Sequence, residues 1–222
     1  MPRTDSTENQ RKANYMPLST DRRHTLVTSF VWQLPNASVN RVLAGAIHDW
    51  QVSGSYRASS GAPYTVTYNI PGISPYTLTG TQRNESARIV IVGDPGLGYS
   101  DDPYQQFNPA AFTTPKSGSL GLESGTSYVN YQPQYVLDLS VARFIRMGSN
   151  RRVEIRIDAF NALNTFTITG VNNVLQVRSL ADPTPTNLSR DAGGNLINPT
   201  GFGAVTSVAP ARQIQLMARV HF

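Results

Sequence analysis

Five segments of this chain alternate apolar and polar residues with a period of two, each over a length that most soluble strands do not reach. Between His24 and Leu34 the even positions read Leu26, Thr28, Phe30, Trp32 and Leu34, against Thr25, Val27, Ser29, Val31 and Gln33. From Trp50 to Ala58, Trp50, Val52, Gly54, Tyr56 and Ala58 oppose Gln51, Ser53, Ser55 and Arg57. Tyr135, Leu137, Leu139 and Val141 alternate with Val136, Asp138 and Ser140, and Val153, Ile155, Ile157 and Ala159 with Arg152, Glu154, Arg156, Asp158 and Phe160. The last run sets Ile214, Leu216, Ala218, Val220 and Phe222 against Gln213, Gln215, Met217, Arg219 and His221. In a pleated strand successive side chains point to opposite faces, so each run has one apolar face. With flanks the runs reach nine to thirteen residues. Globular strands usually have about five or six, and a tilted strand needs about 9–11 to cross a bilayer. Strands are expected near 24–34, 50–66, 135–146, 152–164 and 212–222.

The connections point the same way. Met147-Gly148-Ser149-Asn150 is a tight hairpin turn, and Pro35 to Asp49 joins the first two strands. The other two connections, Tyr68 to Pro133 and Phe166 to Ala211, are far longer than the connections of compact domains. Short turns on one side and long loops on the other are the pattern of transmembrane β-barrels. A soluble sandwich also alternates, but here aromatics (Trp32, Trp50, Tyr56, Tyr135, Phe222) mark the ends of the apolar faces, as interfacial girdles do. The expected fold is all-β: an antiparallel meander of about five long strands from the C-terminal part of a transmembrane β-barrel, with two long extracellular loops.

Composition removes several other readings. Charged residues are 15% of the chain, below the ~25% of an ordinary soluble domain, which argues against charged disordered tails and coiled coils. With no cysteine there is no disulfide framework and no thiolate metal site. The net charge of +5 comes from arginines scattered from Arg3 to Arg219 rather than from a stripe, so no nucleic-acid partner is expected. His24, His48 and His221 have no metal-ligand spacing. No catalytic, cofactor or metal site is expected, and the chain reads as no enzyme. The Asp94–Asp102 stretch reads as turns. Tyr68, Tyr76, Tyr99, Tyr104, Tyr128 and Tyr131 read as loop packing rather than as a stacking platform for a ligand.

Two features are candidate functional elements. Arg152, Glu154, Arg156 and Asp158 form a charge ladder suited to a wet lumen, with Asp138 across the short hairpin as an expected partner of Arg156. The series Ile214, Leu216, Ala218, Val220 and Phe222 ends on an aromatic, which would anchor a strand at the membrane–water interface. Arg143 falls by parity on the apolar side, near enough to the short-turn end to snorkel.

Several motifs occur in order: Asp21-Arg22-Arg23-His24, Asp49-Trp50-Gln51-Val52-Ser53-Gly54, Ser60-Gly61-Ala62-Pro63-Tyr64 and Phe107-Asn108-Pro109-Ala110-Ala111-Phe112. They are followed by Val153 through Asn164, Phe202-Gly203, and Arg212 through Phe222. Together these resemble the C-terminal end of a TonB-dependent outer-membrane receptor of the Oar-like group. The resemblance implies a Gram-negative outer-membrane location and a plugged barrel for substrate uptake. It implies that the upstream strands, the plug and the TonB-contacting segment lie outside this chain, with residues 1–23 ending an extracellular loop. The implied partners are outer-membrane lipid and the insertion machinery that reads a terminal aromatic, with TonB reached only through the N-terminal part. A surface adhesion or matrix-binding protein on the same scaffold is the alternative, since adhesion needs no plug.

Overall fold

The structure, a computed structural model, describes residues 16–35, 48–80, 86–97, 102–121, 123–125, 128–148 and 151–222. In chain order the strands are β1 (Thr25–Gln33), β2 (Trp50–Ser59), β3 (Pro63–Tyr64), β4 (Thr67–Asn69), β5 (Val90–Ile91), β6 (Phe112–Thr113) and β7 (Val129–Asn130). They continue as β8 (Gln134–Arg146), β9 (Arg152–Phe160), β10 (Ile168–Val171), β11 (Val174–Gln176), β12 (Val205–Val208) and β13 (Gln213–His221). The expected N-terminal loop end up to residue 15, most of the connection after Pro35, Tyr99, and two residues of the tight turn lie outside the described residues.

The chain divides into two compact units. The first comprises Arg22–Ser60, Pro133–Thr167 and Ala209–Phe222, and holds one five-stranded sheet in the order β1-β2-β8-β9-β13. Every neighbouring pair is antiparallel, which is the expected meander, with β1 and β13 as its edges. Both long connections leave from one end of this sheet, where Ser59 faces Gln134 and Gln213 faces Phe160. At the other end the hairpin closes through Met147 N–H donating to the Arg151 carbonyl at 2.8 Å.

Two strands are shorter than expected. β2 stops at Ser59 rather than near 66. The chain beyond it belongs to the other unit, where Gly61 lies against the Tyr131 carbonyl so closely that a Cβ would sit 1.6 Å from it, and Pro63 lacks an N–H for a continuing ladder. β9 stops at Phe160 rather than Asn164 because Asn161 (φ 50) and Asn164 (φ 53) adopt the left-handed conformation that asparagine tolerates better than most residues. Asn161 is an extra residue there, and the ladder resumes with Ala162 N–H donating to the Leu137 carbonyl at 2.7 Å. The Asn161 side chain closes the turn, accepting from Thr165 N–H at 2.9 Å, and Arg212 N–H donates to Asn164 Oδ1 at 3.0 Å.

The second unit comprises the described residues up to Asp21 with Gly61–Gln132 and Ile168–Val208. The two long connections are therefore not separate loops. They share a core in which Phe107 and Phe202 are fully buried, with ring centroids 4.8 Å apart and nearly perpendicular, and Phe112 packs edge-on to both. β4 of one connection pairs in parallel with β11 of the other. Burial and the neighbouring Glu123 push the Tyr68 phenol up, and its hydroxyl donates to the Ala87 carbonyl at 3.1 Å. Tyr128 donates to the Val66 carbonyl at 3.0 Å, and burial pushes its phenol up to about 12. Tyr131 stacks on Tyr64 at 4.4 Å, and burial raises its phenol as well. These tyrosines pack, as expected. Asp94 Oδ1 accepts from Gly96 N–H at 2.8 Å in a turn.

Candidate functional site

The site is the sheet of the first unit, whose two faces differ in chemistry. The register carries one face unbroken across all five strands: Leu26 faces Ala58, which faces Tyr135; Phe30 faces Gly54, which faces Leu139; Val141 faces Ile157, which faces Leu216. Gly54 belongs to this face because its neighbours leave no room. A Cβ there would meet the Asp138 carbonyl at 2.7 Å, Leu139 Cδ2 at 2.9 Å and the Phe30 ring at 3.0 Å. The face is exposed on β1, β9 and β13, where Trp32, Ile155, Ile157, Ile214, Leu216 and Val220 all present 43% or more of their surface, and half-buried along β2 and most of β8. So continuous an apolar surface marks an interaction site rather than an ordinary monomer surface.

Its dimensions fit one apolar medium. Nine residues of β1 at ~3.4 Å each span ~31 Å, or ~23 Å along a normal tilted ~40° from the strand, against the ~25 Å apolar band of outer-membrane barrels. At the short-turn end Trp50 faces Arg143, whose guanidinium carbon lies 5.5 Å from the ring centroid. Arg143 thus sits on the apolar side, as parity requires, and is accommodated by the face of the indole as well as by its place near the strand end. At the same end Arg146 pairs with Asp49 at 3.3 Å, and Phe222, 93% exposed, follows the last paired residue of β13.

The opposite face carries the charge ladder. Arg156 lies between two carboxylates of its own strand, Nε donating to Asp158 at 3.1 Å and Nη1 standing 3.9 Å from Glu154. Glu154 is the most buried member at 9% exposure, and its other oxygen meets His221 Nε2 at 3.3 Å. Arg152, opposite His221 and Arg146, places its guanidinium over the Phe144 ring at 5.6 Å. The ladder is thus largely neutralised within itself.

One expected partner is corrected. Asp138 shares this face but does not reach Arg156. The hairpin register sets Arg156 opposite Ala142, four residues along β8 from Asp138, and Asp138 Oδ1 accepts instead from Asn161 N–H at 2.8 Å. Parity was legible in the sequence but the offset was not, because the turn between Arg146 and Arg152 sets it. His221 is the member that sequence reasoning left out. The signal lay in the odd positions of the last run, but linking His221 to Glu154 requires the β9–β13 register. The face is also mixed at β1, where Val27 and Val31 are exposed beside the serines.

An antiparallel sheet of long strands with one continuous apolar face, an opposite face bearing charges, short closure at one end and long insertions at the other is the wall of a membrane β-barrel. Among the described residues no helix is long and apolar enough to cross a membrane. Residues 3–215 match the family model described as an outer membrane beta barrel domain, and the chain belongs to that family. Its place is the outer membrane. No curated protein and no solved structure matches it.

Proposed function

We propose that this chain supplies five adjacent wall strands of a TonB-dependent receptor of the Oar-like group, which takes up a substrate across the outer membrane. The observation that carries the reading is the Glu154–Arg156–Asp158–His221 ladder on the face opposite the lipid side. Its charges pair mainly with one another, and a barrel occupied by a plug would offer such a ladder a polar surface to face. The two insertions would face the outside, where loops on a rigid wall carry recognition. The chain's role in this reading is binding and passage rather than chemistry.

The strip Ile214, Leu216, Ala218, Val220 and Phe222 is, on the same reading, what the insertion machinery recognises, since it presents one apolar ridge ending in an exposed aromatic. The proposal is tested on the genomic reading frame and its product. An in-frame plug upstream of Met1, together with in-cell cross-linking of the product to TonB, is the expected result. A frame with no plug, and a product that never cross-links to TonB yet makes cells adhere to matrix, would overturn uptake in favour of adhesion.

A further inference from the structure

At the end of the sheet from which the long insertions leave, the apolar face does not simply stop. It runs into a cleft of about 510 Å³ whose walls include Arg23, His24, Leu26, Ala58, Pro133 and Tyr135. The last full apolar row is Leu26–Ala58–Tyr135. One step beyond it, the ladder continues through Ser60 N–H donating to the His24 carbonyl at 2.9 Å and His24 N–H donating to Ser60 Oγ at 3.2 Å. His24 thereby keeps the same side as Leu26, two residues away. Arg23 beside it is exposed and carries a permanent charge.

We propose that this cleft binds the phosphate-bearing headgroup of an outer-leaflet lipid. Three features select that occupant. The walls are mostly apolar and continuous with the lipid-facing side, so an acyl chain lying along Leu26, Ala58 and Tyr135 leads its headgroup into the cleft. The Arg23 guanidinium stands at the headgroup end of that path, matching an amphiphile whose one charged end is anionic. The end itself is the outer one, because long connections of outer-membrane barrels face outward and short turns face the periplasm. A soluble anion would gain from Arg23 but nothing from the apolar walls.

The test uses the protein extracted from outer membranes and reconstituted in phosphatidylcholine nanodiscs doped with bisphosphorylated lipid A, with retained lipid counted by native mass spectrometry. Retention of lipid A is expected to exceed that of its dephosphorylated form. Arg23→Gln should lower it about fivefold, as loss of one cation near a lipid surface does, and Arg23→Glu should lower it further. Excess inorganic phosphate should not displace the lipid. Heat-modifiable gel migration verifies that each variant is folded, and the dephosphorylated lipid needs no variant at all. Equal retention of the two lipids, or unchanged retention in both Arg23 variants, overturns the proposal. Displacement by inorganic phosphate overturns it in favour of a site for the free anion.

Discussion

Leu216 and Gln215 are adjacent in β13 and face opposite ways, so the same substitution at each reads the medium on each side. Leu216 faces Ile157, which faces Val141, near mid-height of the sheet, and 74% of its surface is exposed. Were that exposure to water, Leu216→Arg would change stability by no more than about 0.5 kcal/mol, as surface substitutions usually do. Against lipid, an arginine near the midplane of a barrel wall costs about 2–4 kcal/mol. At ~1.4 kcal/mol per decade that is a shift of roughly 30- to 700-fold in the unfolding equilibrium. Gln215→Arg places its cation opposite Asp158, whose carboxylate already accepts from Arg156, and should stay within about 0.5 kcal/mol. Urea unfolding of the barrel in phospholipid vesicles, followed through the fluorescence of Trp32 and Trp50, measures both. Equal effects from the two substitutions, or a Leu216→Arg variant as stable as the parent, would refute the assignment of that face to lipid.

Other outcomes follow from the same geometry. Arg156→Gln leaves Glu154 and Asp158 without their shared cation and should cost about 2 kcal/mol, discounted for the arginine's partial exposure, by the same urea assay. Phe107→Ala, in the core of the insertions, should cost about 3–5 kcal/mol and lower the near-ultraviolet circular dichroism while leaving the strand signal intact. Burial acts to raise Asp102, but hydrogen bonds from Tyr104 N–H and Arg190, with the guanidinium charge, outweigh it and hold the carboxyl below its ordinary value. Stability from this pair is therefore present above the unfolded carboxyl pKa of ~3.9 and lost as pH falls through the folded value. Asp102→Asn should remove that acid-dependent component from a pH titration of thermal unfolding. Phe222→Ser should lower the amount recovered in outer-membrane fractions, whereas a role confined to stability or uptake would leave the inserted amount unchanged. The chain kept without lipid or detergent should aggregate, since the exposed rows from Leu26 to Val220 then face water; a soluble monomer with a sharp thermal transition would contradict it.

The wall was legible in the sequence because its signal is local and long. Runs such as Arg152–Phe160 repeat their parity over nine residues, and parity alone decides which side each residue takes. The core of the insertions was not legible. Its strands are two to four residues long, too short for any period to register, and its partners are remote: Asn69 of β4 meets Gln176 of β11, and Arg190 Nε reaches Asp102 across 88 residues at 2.9 Å. The ladder was legible in membership along β9 and wrong in its cross-strand partner. Same-face parity allows several offsets, and the hairpin turn that sets Arg146 opposite Arg152 selects among them. His221 joined the ladder only through a contact spanning 67 residues.

The most direct test of the wall is the environment of alternate residues in the membrane itself. The chain has no cysteine, so within it single spin labels can be placed through Val153→Cys, Glu154→Cys, Ile155→Cys, Arg156→Cys, Ile157→Cys, Asp158→Cys and Ala159→Cys. Oxygen concentrates in the hydrocarbon, so collision rates with oxygen should rise and fall with a period of two. Maxima are expected at 153, 155, 157 and 159, and minima at 154, 156 and 158. A flat profile, or maxima at the charged positions, would contradict the assignment of this sheet as an outer-membrane barrel wall.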